Sequence, residues 1–180
     1  MIKNVSGFFV ALLLVSFSFL SFIGKDTPTV GLTIGDKAPD FTICGEKQLV
    51  ELNDLKGKYV LLSFWASYDA QSRTQNATLN HVISKTKNIE MVSVSFDDYK
   101  SVFNETIKKD QIDTPNCFVE TEGENSELFK TYRLNKGFKN YLLDENGVII
   151  AKNITAKDIS SYLNWGNKKN EDTFNVPSFF

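Results

Sequence analysis

One junction constrains this chain more than any other. Residues 59–65, Tyr-Val-Leu-Leu-Ser-Phe-Trp, are a near-continuous run of apolar, strand-forming side chains, the pattern of a strand covered on both faces. Helical signals follow with almost no loop between: Asp69 or Ser72 can accept a backbone N–H bond and cap a first turn, and Ala70, Gln71 and Arg73 propagate a helix well. A buried strand that runs straight into a helix N-terminus is a common place for a site. Unpaired N–H groups and the positive end of the helix dipole face whatever sits there.

The elements around this junction follow from periodicity. Leu79, Val82 and Ile83, with Ala77, can share one face of a helix over 71–87, and 90–96 alternates as a strand. A helix between two strands makes them parallel, with a right-handed crossover. A further helix is expected over 99–109 with Val102, Phe103 and Ile107 inward, then a short strand at 116–120 and a short helix at 125–132. Residues 140–150 read as a hairpin turning at Asn146-Gly147. Thr155, with Asp158 three residues on, signals a capped last helix through Leu163.

The chain's 180 residues, 42% of them hydrophobic, suit one domain with a core, and a formal net charge of −2 with interspersed signs offers no basic surface for nucleic acid. No stretch gathers His and Cys as a metal site requires, and no metal or other cofactor is expected. Lys3 followed by an apolar run from Phe8 to Ile23 has the form of a secretory leader. The expected organisation is therefore a signal peptide or membrane anchor at 1–24, a linker with Pro28 at 25–34, a domain at 35–166, and a C-terminal tail at 167–180 with three aromatics. Membrane contact is expected only through the N-terminal segment, and the domain is placed outside the cytoplasm, in the periplasm or an equivalent oxidising space.

The segment Phe64-Trp65-Ala66-Ser67-Tyr68-Asp69-Ala70-Gln71-Ser72-Arg73 resembles the redox segment of extracytoplasmic thioredoxin-like proteins of the TlpA/ResA type, a group related to the AhpC/TSA redoxins. That family reads F-W-A-S-W-C-x-x-C-R. Gly35-Asp-Lys-Ala-Pro-Asp-Phe41 resembles its G-x-x-A-P-x-F approach, and Leu142-Leu143-Asp144-Glu145-Asn146-Gly147 its late hairpin. The resemblance implies an α/β, thioredoxin-like fold: a central mixed sheet flanked by helices, with an N-terminal hairpin and a helix-strand insertion. It also places Asp69 and Ser72 where the family carries its two cysteines, and Phe138 or Lys139 where it carries a cis proline. A carboxylate and a hydroxyl cannot perform dithiol exchange, which needs a thiolate and a resolving thiol.

Each candidate residue has two readings. Asp69 is a helix cap or an acid-base carboxylate, and the cap is favoured because no Asp, Glu or His lies near it in sequence as a partner. Trp65 and Tyr68 are a peptide-contact lip, joined by Asp69 and Phe138, or core and rim. Cys44 and Cys117 are the only thiols, 73 positions apart, and are structural by default; closing such a loop as a disulfide would stabilise by about 4 kcal/mol in the chain-entropy picture. His81 is expected as a solvated helical residue. The leading functional expectation is a non-catalytic or accessory thioredoxin-like domain that holds an extended peptide or an envelope protein where the family's dithiol would stand. The alternative is a thiol-disulfide oxidoreductase or peroxide-linked redoxin that uses Cys44, Cys117 or both.

Overall fold

The computed structural model describes residues 27–45, 49–86, 88–112, 115–159 and 161–162. The expected leader at 1–24 and tail at 167–180 lie outside these. No helix among the described residues is long and apolar enough to cross a membrane.

The chain first forms an antiparallel hairpin of β1 (Thr42–Cys44) and β2 (Leu49–Glu51), with Ile43 opposite Val50. β3 (Tyr59–Trp65) then enters the middle of a five-stranded sheet ordered β5-β4-β3-β6-β7. Every β3 residue after Tyr59 is buried, which is why its sequence shows no polar alternation. α1 (Ala70–Ile83) crosses to β4 (Ile89–Ser95), parallel to β3 from Tyr59 opposite Ile89 to Trp65 opposite Ser95. α2 (Lys100–Lys109) leads to β5 (Cys117–Val119), again parallel. α3 (Glu127–Thr131) precedes the antiparallel pair β6 (Asn140–Leu143) and β7 (Ile149–Lys152). Helical residues resume at 156, behind Thr155, whose N–H donates to Asp158 Oδ2 at 2.7 Å.

Strand alternation sorts the core onto two sides of the sheet. Val60, Leu62 and Phe64 meet Val92, Val94 and Phe96 on one side, while Leu61 meets Leu79, Ile83 and Met91 on the other. Leu61 and Leu62 are fully buried, each stabilising by about 1.5–3 kcal/mol.

The structure departs from three sequence expectations. Val102 is exposed, and the inward face of α2 is Phe103 and Thr106 with Ile107 half-buried, because a third apolar position one residue before Phe103 falls off the packed stripe. The inner face of α1 includes Ser72, Asn76 and Asn80 beside Leu79 and Ile83. Asn76 Oδ1 accepts from Ser93 Oγ, which accepts from Trp65 Nε1, both at 2.9 Å. The linker read at 25–34 is also more than a linker: Val30 bridges Lys37, and Lys152 Nζ donates to Leu32 O at 2.6 Å.

Candidate functional site

The site lies at the carboxyl ends of β3, β4 and β5, where open α/β sheets leave a crevice for ligands. β3 ends at Trp65, and the turn through Ser67 and Tyr68 delivers Asp69 to the N-cap of α1 in extended backbone. Asp69 Oδ1 accepts the Ser72 N–H at 2.7 Å, and its main-chain carbonyl accepts from Arg73 N–H at 3.0 Å and from Ser72 Oγ at 3.2 Å. Ser72 is itself buried, and its hydroxyl oxygen accepts Ala66 N–H at 3.4 Å. Both side chains are thus engaged in starting the helix, an arrangement an Asp N-cap achieves through its carboxylate alone.

One turn on, Arg73 grips Asp110 at the end of α2 through two bonds, Nε to Oδ2 at 2.7 Å and a second guanidinium nitrogen to Oδ1 at 2.6 Å. The bidentate geometry is the strong form of such a pair. Hydrogen bonding from Arg73 is the main cause that holds the Asp110 carboxyl below its ordinary value.

The residue that fixes the turn is Asp97, the first residue after the alternating stretch at 90–96. It is 2% exposed. Its Oδ1 accepts both the N–H of Ser67, at 2.9 Å, and the Ser67 hydroxyl, while Oδ2 accepts Ser95 Oγ at 2.6 Å. The only signal in the sequence was a carboxylate pair placed directly after an apolar strand, at the end where sites form.

Trp65, for which the sequence left lip and core open, is fully buried, with its ring 6.2 Å from Phe103 and its N–H spent on Ser93. As the last residue of β3 it points to the α1–α2 side of the sheet. Tyr68 stands at the rim of the crevice, at 70% exposure. Its ring centroid is 6.3 Å from that of half-buried Phe138, which stacks on Phe96 at 6.1 Å and meets Phe129 edge-on at 6.4 Å. Gly137, at φ +102°, turns the chain just before Phe138 in a conformation that other residues resist. The peptide bonds on both sides of Phe138 are trans. Partial burial raises the Tyr68 phenol above its ordinary pKa, and the carboxylates of Asp98, Asp97, Glu124 and Asp69 push it the same way.

The two thiols are free and stand in different sheets. Cys44 is exposed on β1; Cys117, on β5, has its thiol pushed up to about 11 by burial, against a hydrogen bond with Ser93 that acts the other way. His81 is exposed on α1 with its Nε2 2.9 Å from Lys85 Nζ. Among the described residues no three His, Cys, Asp or Glu side chains gather as a metal site would.

The model of the AhpC/TSA family matches residues 34–152, the span that holds both sheets and the junction. The chain belongs to the AhpC/TSA family. It is 28% identical over 141 residues to the thiol-disulfide oxidoreductase ResA of Oceanobacillus iheyensis, covering 73% of this chain and 71% of that protein. It is 32% identical over 126 residues to the thioredoxin-like protein YneN of Bacillus subtilis, covering 67% and 71%. Among solved structures, a thioredoxin-like protein from Parabacteroides distasonis superposes with a TM-score of 0.68 at 41% identity, covering 77% of this chain and 99% of that one. The thioredoxin domain of a thiol-disulfide oxidoreductase from Bacteroides vulgatus gives 0.65 at 25% identity, covering 76% and 99%. The fold of this AhpC/TSA family member is thioredoxin-like, and its only two thiols do not form a C-x-x-C pair.

Proposed function

We propose that this protein is an exported thioredoxin-like domain that has given up dithiol exchange and binds an extended polypeptide, such as a segment of an envelope protein, at the lip of Tyr68, Asp69 and Phe138. The observation that carries the reading is the state of Asp69 and Ser72. At the positions where the family pattern has cysteines, their side chains hold the first turn of α1 and supply neither thiolate nor resolving thiol. The lip supports a retained binding role: an aromatic that is largely exposed at the mouth of a sheet crevice has no packing reason to be there. The high thiol pKa of Cys117 weighs against the redox alternative, since the thiolate is the reactive form.

The test is a thiol-disulfide exchange assay on the native protein and on Cys44→Ser with Cys117→Ser. No catalysis above the uncatalysed rate is expected from either. Turnover at the rate of an ordinary thioredoxin would overturn the proposal, and its loss in the double variant would assign the chemistry to Cys44 and Cys117. Asp69→Cys with Ser72→Cys should form a disulfide yet turn over slowly, because Phe138 fills the place of the family's proline; adding Phe138→Pro should raise the rate.

A further inference from the structure

The lip is more than aromatic. Three turns converge on it, each from the end of a parallel strand. Ser67 N–H donates to Asp97, which lays the segment Asp97-Asp98-Tyr99 beside the Tyr68 turn. Gly123, at φ +57°, lies so close to Asp98 that a Cβ there would stand 3.4 Å from its Oδ1, which brings in the short turn bearing Glu124. Asp98 and Glu124 are exposed. The result is an exposed Tyr68 ring, edged by Phe138, in a local field that the carboxylates of Asp98, Asp97 and Glu124 make negative. The field is a property of this edge and not of the whole chain, whose formal net charge is only −2.

We infer that the occupant of the lip is a cationic polypeptide segment, with a Lys or Arg side chain laid on the Tyr68 ring beside the carboxylates of Asp98 and Glu124 and its apolar neighbours against Phe138. This deepens the binding role proposed above and rests on it. The chemistry selects the occupant. An aromatic face attracts a cation through its quadrupole, and the attraction grows where carboxylates stand beside the ring. An acidic segment would meet like charge at the same place, and a neutral one would gain only the apolar contact. Lys136 and Lys139 flank Phe138 in the chain, so the cation belongs at the Tyr68 end and not at the Phe138 end. Burial is the main cause that raises the Tyr68 phenol, and the carboxylates of Asp98, Asp97 and Glu124 push it the same way, in agreement with that polarity.

The test uses the full chain and three labelled peptides of equal length that alternate Val with Lys, Ser or Glu. Fluorescence anisotropy gives Kd, and amide NMR shifts locate the site. At low salt the Lys peptide should bind about tenfold more tightly than the Ser peptide, the size of one cation–π contact with two exposed ion pairs. The Glu peptide should bind most weakly, and the Lys preference should fade as salt rises. Asp98→Asn with Glu124→Gln should erase most of the difference between Lys and Ser peptides, and Tyr68→Leu should reduce it by about threefold; circular dichroism confirms that both variants fold. If all three peptides shift the Tyr68 and Phe138 signals with equal Kd, the charge inference falls while the lip remains a binding surface. If no peptide shifts those signals, or the Lys peptide shifts only signals elsewhere, both fall.

Discussion

Asp97 is the best place to test whether the site has been read correctly, because a buried carboxylate with three donors makes a quantitative demand. Oδ1 takes the N–H and hydroxyl of Ser67, and Oδ2 takes the hydroxyl of Ser95, whose oxygen in turn accepts the Asp97 N–H at 3.2 Å. Asp97→Ala removes both acceptor oxygens and strands a backbone N–H and two hydroxyls around a residue that is 2% exposed. Hydrogen bonds to a charged group contribute about 1.5–3 kcal/mol each, but Ser67 is only half-buried and water can reach part of it, so the loss should total about 3–5 kcal/mol. Asp97→Asn is the informative contrast. Its carbonyl keeps both Ser67 bonds, and its NH₂ can donate to Ser95 Oγ once that hydroxyl rotates, so the loss should be about 1–2 kcal/mol. Urea unfolding of the native protein and both variants measures the ranking, and exchange of the Ser67 amide reports the turn directly: fast in Asp97→Ala, slow in Asp97→Asn. Equal losses in the two variants, or a Ser67 amide as protected in Asp97→Ala as in the native protein, would refute the claim that these hydrogen bonds hold the turn.

The Arg73–Asp110 clamp predicts a pH dependence. The Asp110 carboxyl lies below its ordinary value when folded, so its contribution is complete above the unfolded pKa of about 4 and disappears as pH falls through the folded one. Asp110→Asn should therefore cost about 1–2 kcal/mol at neutral pH and progressively less in acid; a gap in urea midpoint that stays constant down to acid pH would sink this account. For Cys117, a thiol pushed up to about 11 should be alkylated by iodoacetamide at pH 8 more than a hundredfold more slowly than a small-molecule thiol. The Cys44→Ser variant isolates that reaction, and an ordinary rate would contradict the burial that sets it. Asp69→Ala should cost about 1 kcal/mol and Asp69→Ser much less, as expected for a cap; a denaturant midpoint unchanged in Asp69→Ala would remove the cap assignment.

How far the sequence could be read depended on whether burial left a mark on residue type. β3 was legible from Tyr59 to Trp65 because a strand covered on both faces must be apolar throughout. The Asp69 cap was legible because capping is local chemistry within four residues. Asn76 and Asn80 were not, since their burial depends on partners across the sheet such as Ser93, and a helical wheel assigns every amide to water. Asp97 was hidden for the same reason: its donors come from another turn and from a serine on its own strand. Trp65 stayed open between lip and core, because proximity to the junction in sequence says nothing about which side of the sheet the last strand residue faces.

The segment before β1 has a consequence for the sheet's margin. β7 would otherwise present a row of unpaired main-chain groups to solvent. Gly35 N–H donates to Ile149 O, Ile149 N–H donates to Asp36 O at 2.8 Å, and Ala38 N–H donates to Gly147 O at 3.0 Å. These residues act as a short, irregular sixth strand, covered in turn by Thr29 and Gly31, which bond the main chain of Lys37. An uncovered margin of this kind is a template for strand addition between copies. A chain shortened to begin at Ala38 should keep its core yet polymerise on standing, visible as light scattering with a rising β-sheet signal, whereas the full chain stays dispersed. On this reading the residues that lead out of the N-terminal segment serve as a guard against aggregation, which makes their loss a solubility defect before it is a folding defect.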